Sequence, residues 1–486
     1  MKNKISFVII CLLVACQSCA EQPDLKKLFS DIENKIAAGN LKEAQRLAEI
    51  IKNKYSANTA VMLKADSLVQ ISVRIPLDFS MNEEQAVAKL RMIPGGYSDH
   101  EKKIWESHNW LEWRKINGEK RYFNRSVSNL VLIKNFNLER SKRDSTIASD
   151  KDIIFRKKHT EEIIRSSAPS AEPVVPVDLK IVYTLTLEPD AVPQGEIIRC
   201  WLPYPKENNP RQKAVTILNA SQADYVISPD SATHRTIYME ARAEKNKPTV
   251  FTISYTYRIS GQYYDLRNIK LKPYDKSSSI YRKYTSEQLP QICFTSKIRN
   301  LADSITGGET DPYQIVRRIY YWFNKNIPWA GAMEYSIMPN IPEYVVDNRH
   351  GDCGMQTLLL MSMLRYKGIP VKWESGWMVP PENKNLHDWC EVYYEAIGWV
   401  PVDISYELQY SDNVKTKEFY ISGIDSYRLI VNDGISGKLY PEKKYFRSEP
   451  YDFQRGEVEW SGGNIYFDKW DYSMKIEYRA GKQSDK

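Results

Sequence analysis

The spacing of apolar residues changes along this chain and separates it into consecutive regions. Apolar positions recur every three or four residues over 16–166, which predicts a helical domain. Residues 167–177 are dense in Pro, Ala and Ser, as linkers are. Over 178–262 the period becomes two between turn residues, which predicts a β-sandwich. Helical and alternating stretches mix over 263–415, and alternation returns over 416–486. The pattern therefore predicts an α+β protein of several domains.

Two of these regions carry a further local pattern. Residues 24–75 contain two helical stretches joined by a turn in the sequence AAGNLKEA, and they resemble one tetratricopeptide-type helix pair. Repeats of that type ordinarily need neighbouring repeats for stability. The strands expected over 416–486 either extend the sheet of the preceding region or pack on the sandwich, and the sequence leaves both arrangements open.

The N-terminal residues have the pattern of an export signal. Lys2 and Lys4 precede an apolar stretch, as in secretory signal peptides. The sequence Leu-Val-Ala-Cys that ends at Cys16 resembles the lipobox of bacterial lipoproteins, in which the cysteine is lipidated and becomes the new N-terminus, so that residues 1–15 would be removed. A plain signal anchor and lipidation at Cys19 are the alternatives. We therefore expect a protein of the cell envelope, attached to a membrane by acyl chains while its domains stay in water.

Composition limits the classes of partner. The net charge of +7 over 486 residues is modest, and basic and acidic residues are interspersed, so nucleic-acid binding is not expected. The remaining cysteines outside the leader form no CxxC pair and have no metal-ligand spacing with histidine; they are Cys200, Cys293, Cys353 and Cys390. No acidic loop of EF-hand type calls for calcium. We expect neither a metal nor a cofactor.

The stretch GDCGMQTLLLMSMLRYKGIP places one cysteine at the start of a buried helix. Asp352 is a suitable N-cap, apolar residues follow on every face, and Gly368 ends the helix. The partial positive charge at a helix start favours a thiolate, so Cys353 is a candidate nucleophile. The alternative is a small buried residue with no chemical role.

A histidine and an aspartate further along the chain complete a catalytic set. His387 begins a predicted strand that runs from Trp389 to Tyr394, and Asp403 ends a second strand from Trp399 to Val402. Adjacent antiparallel strands can place the imidazole beside the carboxylate. A thiol could then attack a carbonyl while the imidazole moves the proton and the carboxylate orients the ring.

These residues lie in motifs that resemble those of the transglutaminase-like superfamily. The motifs are GDCGMQTLLLMSMLRYKGIPVKWESGW, LHDWCEVYY and GWVPVDISYE, and they cover roughly residues 310–410. The resemblance implies a papain-like α+β core with a helix packed on an antiparallel sheet. Carried over residue by residue, it makes Cys353 the nucleophile, His387 the base and Asp403 the orienting acid.

The donor that stabilises the oxyanion is the element that transfers least well. The segment IPWAGAMEYSIMPN offers Tyr335, which we prefer, and Trp329. The backbone N–H of Cys353 is a third possibility.

Together these patterns predict an exported, membrane-anchored cysteine hydrolase or acyltransferase. It would act on amide bonds of protein or peptide substrates through a thioester acyl-enzyme. The alternative is a non-catalytic lipoprotein scaffold that binds a protein or a glycan.

Overall fold

The computed structural model describes residues 22–136, 150–167 and 171–479. The predicted signal peptide and Cys16 lie outside these residues. The thirteen α-helices within them are α1 Gln22–Ala37, α2 Leu41–Lys54, α3 Thr59–Asp78, α4 Glu83–Leu90, α5 Asp99–Ser107, α6 Ser126–Phe136, α7 Lys151–Ser167, α8 Ser279–Tyr284, α9 Ser296–Thr306, α10 Pro312–Asn326, α11 Ile341–Asn348, α12 Cys353–Tyr366 and α13 Val414–Lys417.

The strands of the same residues are β1 Trp113–Ile116, β2 Glu119–Tyr122, β3 Val174–Leu187, β4 Ile197–Pro203, β5 Gln212–Ala220, β6 Tyr225–Ile227, β7 Thr236–Arg242, β8 Thr249–Tyr263, β9 Val371–Met378, β10 Asn385–Tyr394, β11 Gly398–Val402, β12 Gly423–Ile424, β13 Arg428–Asn432, β14 Glu457–Trp460, β15 Gly463–Ile465 and β16 Trp470–Arg479. The chain divides into two compact units, 1–127 and 128–486. The combination of helices and antiparallel sheets confirms the predicted α+β class.

The first unit is mainly helical. Helices α1, α2 and α3 pack around a small apolar core that includes Ile32, Ala44 and Leu68. Polar N-caps start the later helices, because the side chains of Asn82 and Ser98 accept a backbone N–H from the first turns of α4 and α5. Strands β1 and β2 form a hairpin in the same unit.

The predicted helical region 16–166 is divided between the two units. Helix α7 lies in the second unit. Its Ile163 packs so closely on Gly261 of β8 that a Cβ atom at position 261 would clash with the isoleucine side chain. His159 of α7 accepts a hydrogen bond from the backbone N–H of Ser426 at 3.2 Å. Helical spacing predicts that α7 is a helix, but long-range contacts decide the unit to which it belongs.

The sandwich of the second unit consists of two five-stranded antiparallel sheets. One has the order β12-β8-β3-β16 with β5 also paired to β8, and the other has the order β15-β14-β4-β7-β6. Alternate residues of β3 are fully buried between the sheets, as the period of two predicts. Strand β16 pairs with β3 over ten residues, and β14 pairs with β4. The sandwich therefore needs C-terminal strands that lie far beyond residues 178–262.

A separate four-stranded antiparallel sheet has the order β11-β10-β9-β13. Helix α12 is buried nearly all round and packs on β9 and β10. Its N-cap is Asp352, whose side chain accepts the backbone N–H of Met355 at 3.0 Å. Of the C-terminal region, β13 joins this sheet while β14, β15 and β16 join the sandwich, so both arrangements left open by the sequence occur. None of the helices in the described ranges is both long and apolar enough to span a membrane.

A buried ionic cluster joins the sandwich to this sheet. Arg211, just before β5, is fully buried and contacts the carboxylates of Glu374 on β9 and Glu391 on β10. Lys372 binds the second oxygen of Glu391 at 2.6 Å, and the indole of Trp389 donates to Glu374 at 2.5 Å. Two cations and two carboxylates thus balance one another; Arg211 and Glu374 are fully buried, while Lys372 keeps 19% of its side chain exposed.

Replacing Arg211 by Met should lower the free energy of unfolding of the second unit by about 3–5 kcal/mol, because it leaves two buried carboxylates with one cation. Hydrogen exchange of β9 and β10 in increasing urea measures this loss. The control is Lys180→Met, which breaks an exposed pair with Glu477 and should change little. Equal losses in the two variants would contradict the importance of the buried cluster.

Candidate active site

Cys353 is the first residue of α12 and is 7% exposed. The residue after it must be glycine, because a Cβ at Gly354 would lie 2.6 Å from Oδ2 of Asp388 and would overlap the hydroxyl of Tyr335. The Cys-Gly pair of the sequence motif therefore lets two side chains approach the start of the helix. One of them, Asp388, comes from strand β10.

The structure brings His387 and Asp403 together as the hairpin predicts. Strands β10 and β11 pair antiparallel with Cys390 opposite Val402, and Asp403 follows directly. Nε2 of His387 lies 2.7 Å from Oδ2 of Asp403, and both side chains are buried. The ring of Tyr406 meets the imidazole edge-on, with centroids 5.1 Å apart. The imidazole is therefore held at a fixed orientation by a carboxylate and an aromatic ring.

Arg428 is a third member of this group, and sequence reasoning missed it. Its guanidinium reaches from β13 to within 2.8 Å of Oδ2 of Asp403, and it also pairs with Asp425 at 2.6 Å. Burial alone would raise the pKa of Asp403, but the charges of His387 and Arg428 outweigh it and lower that pKa. Asp403 therefore stays a carboxylate.

The same surroundings favour a neutral imidazole. Burial lowers the pKa of His387; Asp403 opposes this and Arg428 adds to it. Because the carboxylate of Asp403 can only accept, Nε2 carries the proton of the neutral ring and Nδ1 is the acceptor. Nδ1 makes no hydrogen bond to any residue that the structure describes. The ring is thus prepared to take a proton from a nucleophile.

The thiol of Cys353 faces a carboxyl group, which the sequence analysis did not anticipate. Sγ lies 3.5 Å from Oδ2 of Asp388, and within the described ranges no hydrogen bond joins it to His387. Burial raises the pKa of Cys353, and the charges of Asp388 and Asp352 raise it further, while a backbone hydrogen bond from Asp388 opposes them. The expected thiolate is therefore disfavoured in the resting site. The helix start favours it, but burial and two acids near the sulfur act against it.

Asp388 belongs to a buried group of acids. Burial raises its pKa well above the ordinary value, and Asp452 and Asp352 add to the effect. Burial together with Glu449 raises the pKa of Asp452 to about 8. The amide of Gln454 donates to Oδ1 of Asp388 at 2.7 Å. A protonated Asp388 is therefore favoured beside the sulfur until the solution becomes alkaline enough to ionise it.

The two predicted oxyanion donors differ in whether their donor group is already engaged in a hydrogen bond. The hydroxyl of Tyr335 is buried and donates to Oδ1 of Asp352 at 2.5 Å, so its proton is already used. Trp329 is 39% exposed, and its indole N–H has no hydrogen bond to a described residue. Its backbone is tied to the loop before the helix, because Ala330 donates to the carbonyl of Gly351 at 3.2 Å.

The other predictions about chemistry concern metals and thiols. Across the residues with a described placement, no group of three or more His, Cys, Asp and Glu side chains could hold a metal ion. The four cysteines of these residues are all free and buried. The thiol of Cys390 donates to the carbonyl of Val402 at 3.7 Å.

A thiol at the start of a buried helix, next to a His–Asp pair on antiparallel strands, defines a fold of the cysteine hydrolase and acyltransferase class. Residues 299–404 match the model of the transglutaminase-like superfamily. This confirms the resemblance found in the sequence motifs.

Comparison with individual proteins gives distant similarities. The chain is 23% identical over 154 residues to YebA, an uncharacterized protein of Bacillus subtilis (strain 168), and the match covers 28% of this chain and 20% of that protein. A candidate cysteine protease from Cytophaga hutchinsonii has a TM-score of 0.42 and 15% identity, over 63% of this chain and 91% of that one. The periplasmic domain of TgpA from Pseudomonas aeruginosa has a TM-score of 0.23 and 18% identity, over 50% of this chain and 91% of that one.

Replacing Asp388 by Asn should make Cys353 more reactive at alkaline pH. Below the pKa of Asp388 the wild type and the variant both carry a neutral group there, so their rates agree. Above that pKa the carboxylate of the wild type raises the pKa of the thiol and the amide does not. Each pKa unit removed corresponds to about a tenfold gain in thiolate. Mass spectrometry of iodoacetamide-treated protein from pH 5 to 10 measures the rates.

The control for this experiment is Asp471→Asn, because Asp471 is exposed on β16 and should leave the rates unchanged. Identical rates for the Asp388 variant and the wild type over the whole pH range would show that the carboxyl group does not act on the sulfur.

Proposed function

We propose that this protein is an exported, membrane-anchored cysteine enzyme that acts on amide bonds of protein or peptide substrates. The observation that carries the proposal is the link between two adjacent residues of β10. His387 is bound to Asp403 at 2.7 Å with Nδ1 available, and the next residue, Asp388, touches Sγ of Cys353 at 3.5 Å. The base thus lies on strand β10, and the nucleophile lies at the start of the helix that packs on this strand.

The reaction begins from a neutral thiol and a neutral imidazole. As the substrate carbonyl approaches, the Cys353 proton passes to Nδ1 of His387 and the sulfur forms a bond to the carbonyl carbon. The carbonyl oxygen becomes an oxyanion, which the backbone N–H of Cys353 and the free indole N–H of Trp329 are suited to bind. The imidazolium then gives its proton to the leaving amine, and the carbon–nitrogen bond breaks to leave a thioester.

Either water or an amine can resolve this thioester. Water attacks with His387 as the base, releases a carboxylic acid and restores the thiol; an amine would instead form a new amide. We favour hydrolysis, because the acids next to Cys353, Asp388 and Asp352, are engaged in hydrogen bonds within the buried group and so are poorly placed to bind a cationic amine. The carboxylate of Asp403 keeps the imidazolium oriented in both halves of the reaction.

A non-catalytic scaffold is the second candidate function. One observation favours it: the thiol of Cys353 donates a hydrogen bond to the carboxyl group of Asp388, and the pKa of the thiol is raised. A site of this kind could persist as a packing arrangement around a bound protein or glycan. The two candidates differ in whether the sulfur ever forms a thioester.

Replacing Cys353 by Ala should lower peptide hydrolysis by about a thousandfold or more, and adding His387→Ala should cost almost nothing further, because the two act as a unit. The assay incubates a denatured-proteome peptide library with the enzyme and counts new peptide termini by mass spectrometry. Cys293→Ala is the matched control, since that buried thiol lies outside the site and should retain activity. Full activity in Cys353→Ala would refute the catalytic proposal.

Membrane anchoring is tested at the N-terminus. Cys16→Ser should move the protein from the membrane fraction to the soluble fraction, because it removes the sulfur that would carry the lipid. Cys19→Ser is the matched control and should leave the protein in membranes. Mass spectrometry of the N-terminal peptide should find the acyl chains on Cys16. Release by the Cys19 change alone would place the lipid on the other cysteine.

A further inference from the structure

A large open cleft borders the His387 side of the active site. Its volume is about 1410 Å³, more than the usual 300–1,000 Å³ of pockets for small ligands, so it suits a segment of a polymer. One wall is the loop that follows Asp403, and the opposite walls come from α7 and the end of α10. The hydroxyl of Tyr320 ties the loop in place by donating to the carbonyls of Asp403 and Glu407, at 2.9 and 3.1 Å.

The aromatic ring of Tyr406 separates this cleft from the imidazole. The ring lies 5.1 Å from that of His387. The guanidinium of Arg156 lies 4.7 Å from the centroid of the same ring. Arg156 in the cleft and the candidate base His387 therefore contact one shared aromatic side chain.

The cations of the cleft have no carboxylate partners within the described part of the chain. Arg156, Lys157, Lys325 and Lys417 line it, and none of them forms an ion pair there. Nε of Arg156 is buried and lacks a hydrogen bond. A guanidinium in the wall of a cleft, without a carboxylate partner among the described residues, is suited to bind a ligand carboxylate. Two acids, Glu407 and Asp412, also line the cleft, but its four cations outnumber them and its net charge is positive.

We propose that this cleft binds an acidic segment of the peptide substrate, and that Arg156 binds a substrate carboxylate close to the scissile amide. The inference rests on the proposed function, because it is the amide chemistry of Cys353 that makes the polymer a peptide. The aromatic side chains of Trp322 and Tyr410 in the same cleft provide apolar contact for the peptide backbone.

Peptide chloromethyl ketones that alkylate Cys353 test the proposal without a known substrate. One probe carries Glu-Glu-Ala and the other Gln-Gln-Ala, and intact-mass spectrometry gives the rate of each. The acidic probe should react about tenfold faster, and Arg156→Gln should bring the two rates together. Raising the salt concentration to 0.5 M should reduce the preference in the wild type. Arg318→Gln, which removes a guanidinium paired to Glu309, is the control and should keep the preference.

The outcomes separate the inference from the function on which it rests. Equal rates for the two probes, with alkylation confined to Cys353, would overturn the acidic-peptide assignment and leave the catalytic proposal intact. Protection of Cys353 by oligogalacturonate but not by a Glu-rich peptide would also overturn it, in favour of an anionic glycan. If neither probe nor iodoacetamide modifies Cys353 and the Cys353→Ala variant keeps its activity, the proposed function itself fails. Unchanged iodoacetamide labelling in Arg156→Gln shows that the thiol is intact. A loss of preference for the acidic probe in that variant then supports the inference.

Discussion

The buried carboxylate of Asp403 is the charge around which the catalytic half of the molecule is arranged. It is fully buried, and a single unpaired carboxylate in such a place would be strongly destabilising. Its Oδ2 is satisfied from two directions, by His387 on the neighbouring strand and by Arg428 on the edge strand at the other side of the sheet. Arg428 must therefore extend past the ring of Trp389, 5.2 Å away, to reach it. The C-terminal part of the chain is for this reason integral to the core that carries the site.

Two electrostatic environments meet at the catalytic residues. On the His387 side, Arg428 and burial keep the imidazole neutral, and Asp403 fixes which nitrogen accepts. On the Cys353 side, burial is the main cause that raises the pKa of the thiol, and the neighbouring acids Asp388 and Asp352 add to it. The resting molecule therefore does not contain a thiolate–imidazolium ion pair. The negative charge appears on the substrate oxygen during attack, where the backbone N–H groups of a helix start can bind it, instead of on the sulfur beforehand. Such a thiol resists adventitious alkylation and oxidation.

The sequence predicts local geometry well and distant contacts poorly. The His387–Asp403 contact follows from a hairpin only a few residues long, and the position of Cys353 follows from an N-cap and a run of apolar residues. Asp388 could have been identified from the motif LHDWCEVYY, in which it directly follows His387 at the start of the strand that packs against the helix of Cys353. Arg428 carried no local signal beyond being a charged residue in an apolar strand. The pairing of β16 with β3 joins the two ends of the second unit, and no alternation pattern specifies a partner at that distance.

In the proposed reaction, the loop after Asp403 lies between the base and the substrate cleft. Asp403 completes the His–Asp pair, Tyr406 packs against the imidazole, and the residues beyond it form a wall of the cationic cleft. Tyr320 donates to the backbone carbonyls of both Asp403 and Glu407, so the cleft wall and the residue that orients His387 share one anchor. Under the proposed function, a shift of the cleft wall would therefore be transmitted to the alignment of the base. A substrate segment that settles against Arg156 and Tyr406 would strengthen the alignment of the imidazole, so that part of its binding free energy would act on the chemical step instead of on affinity alone.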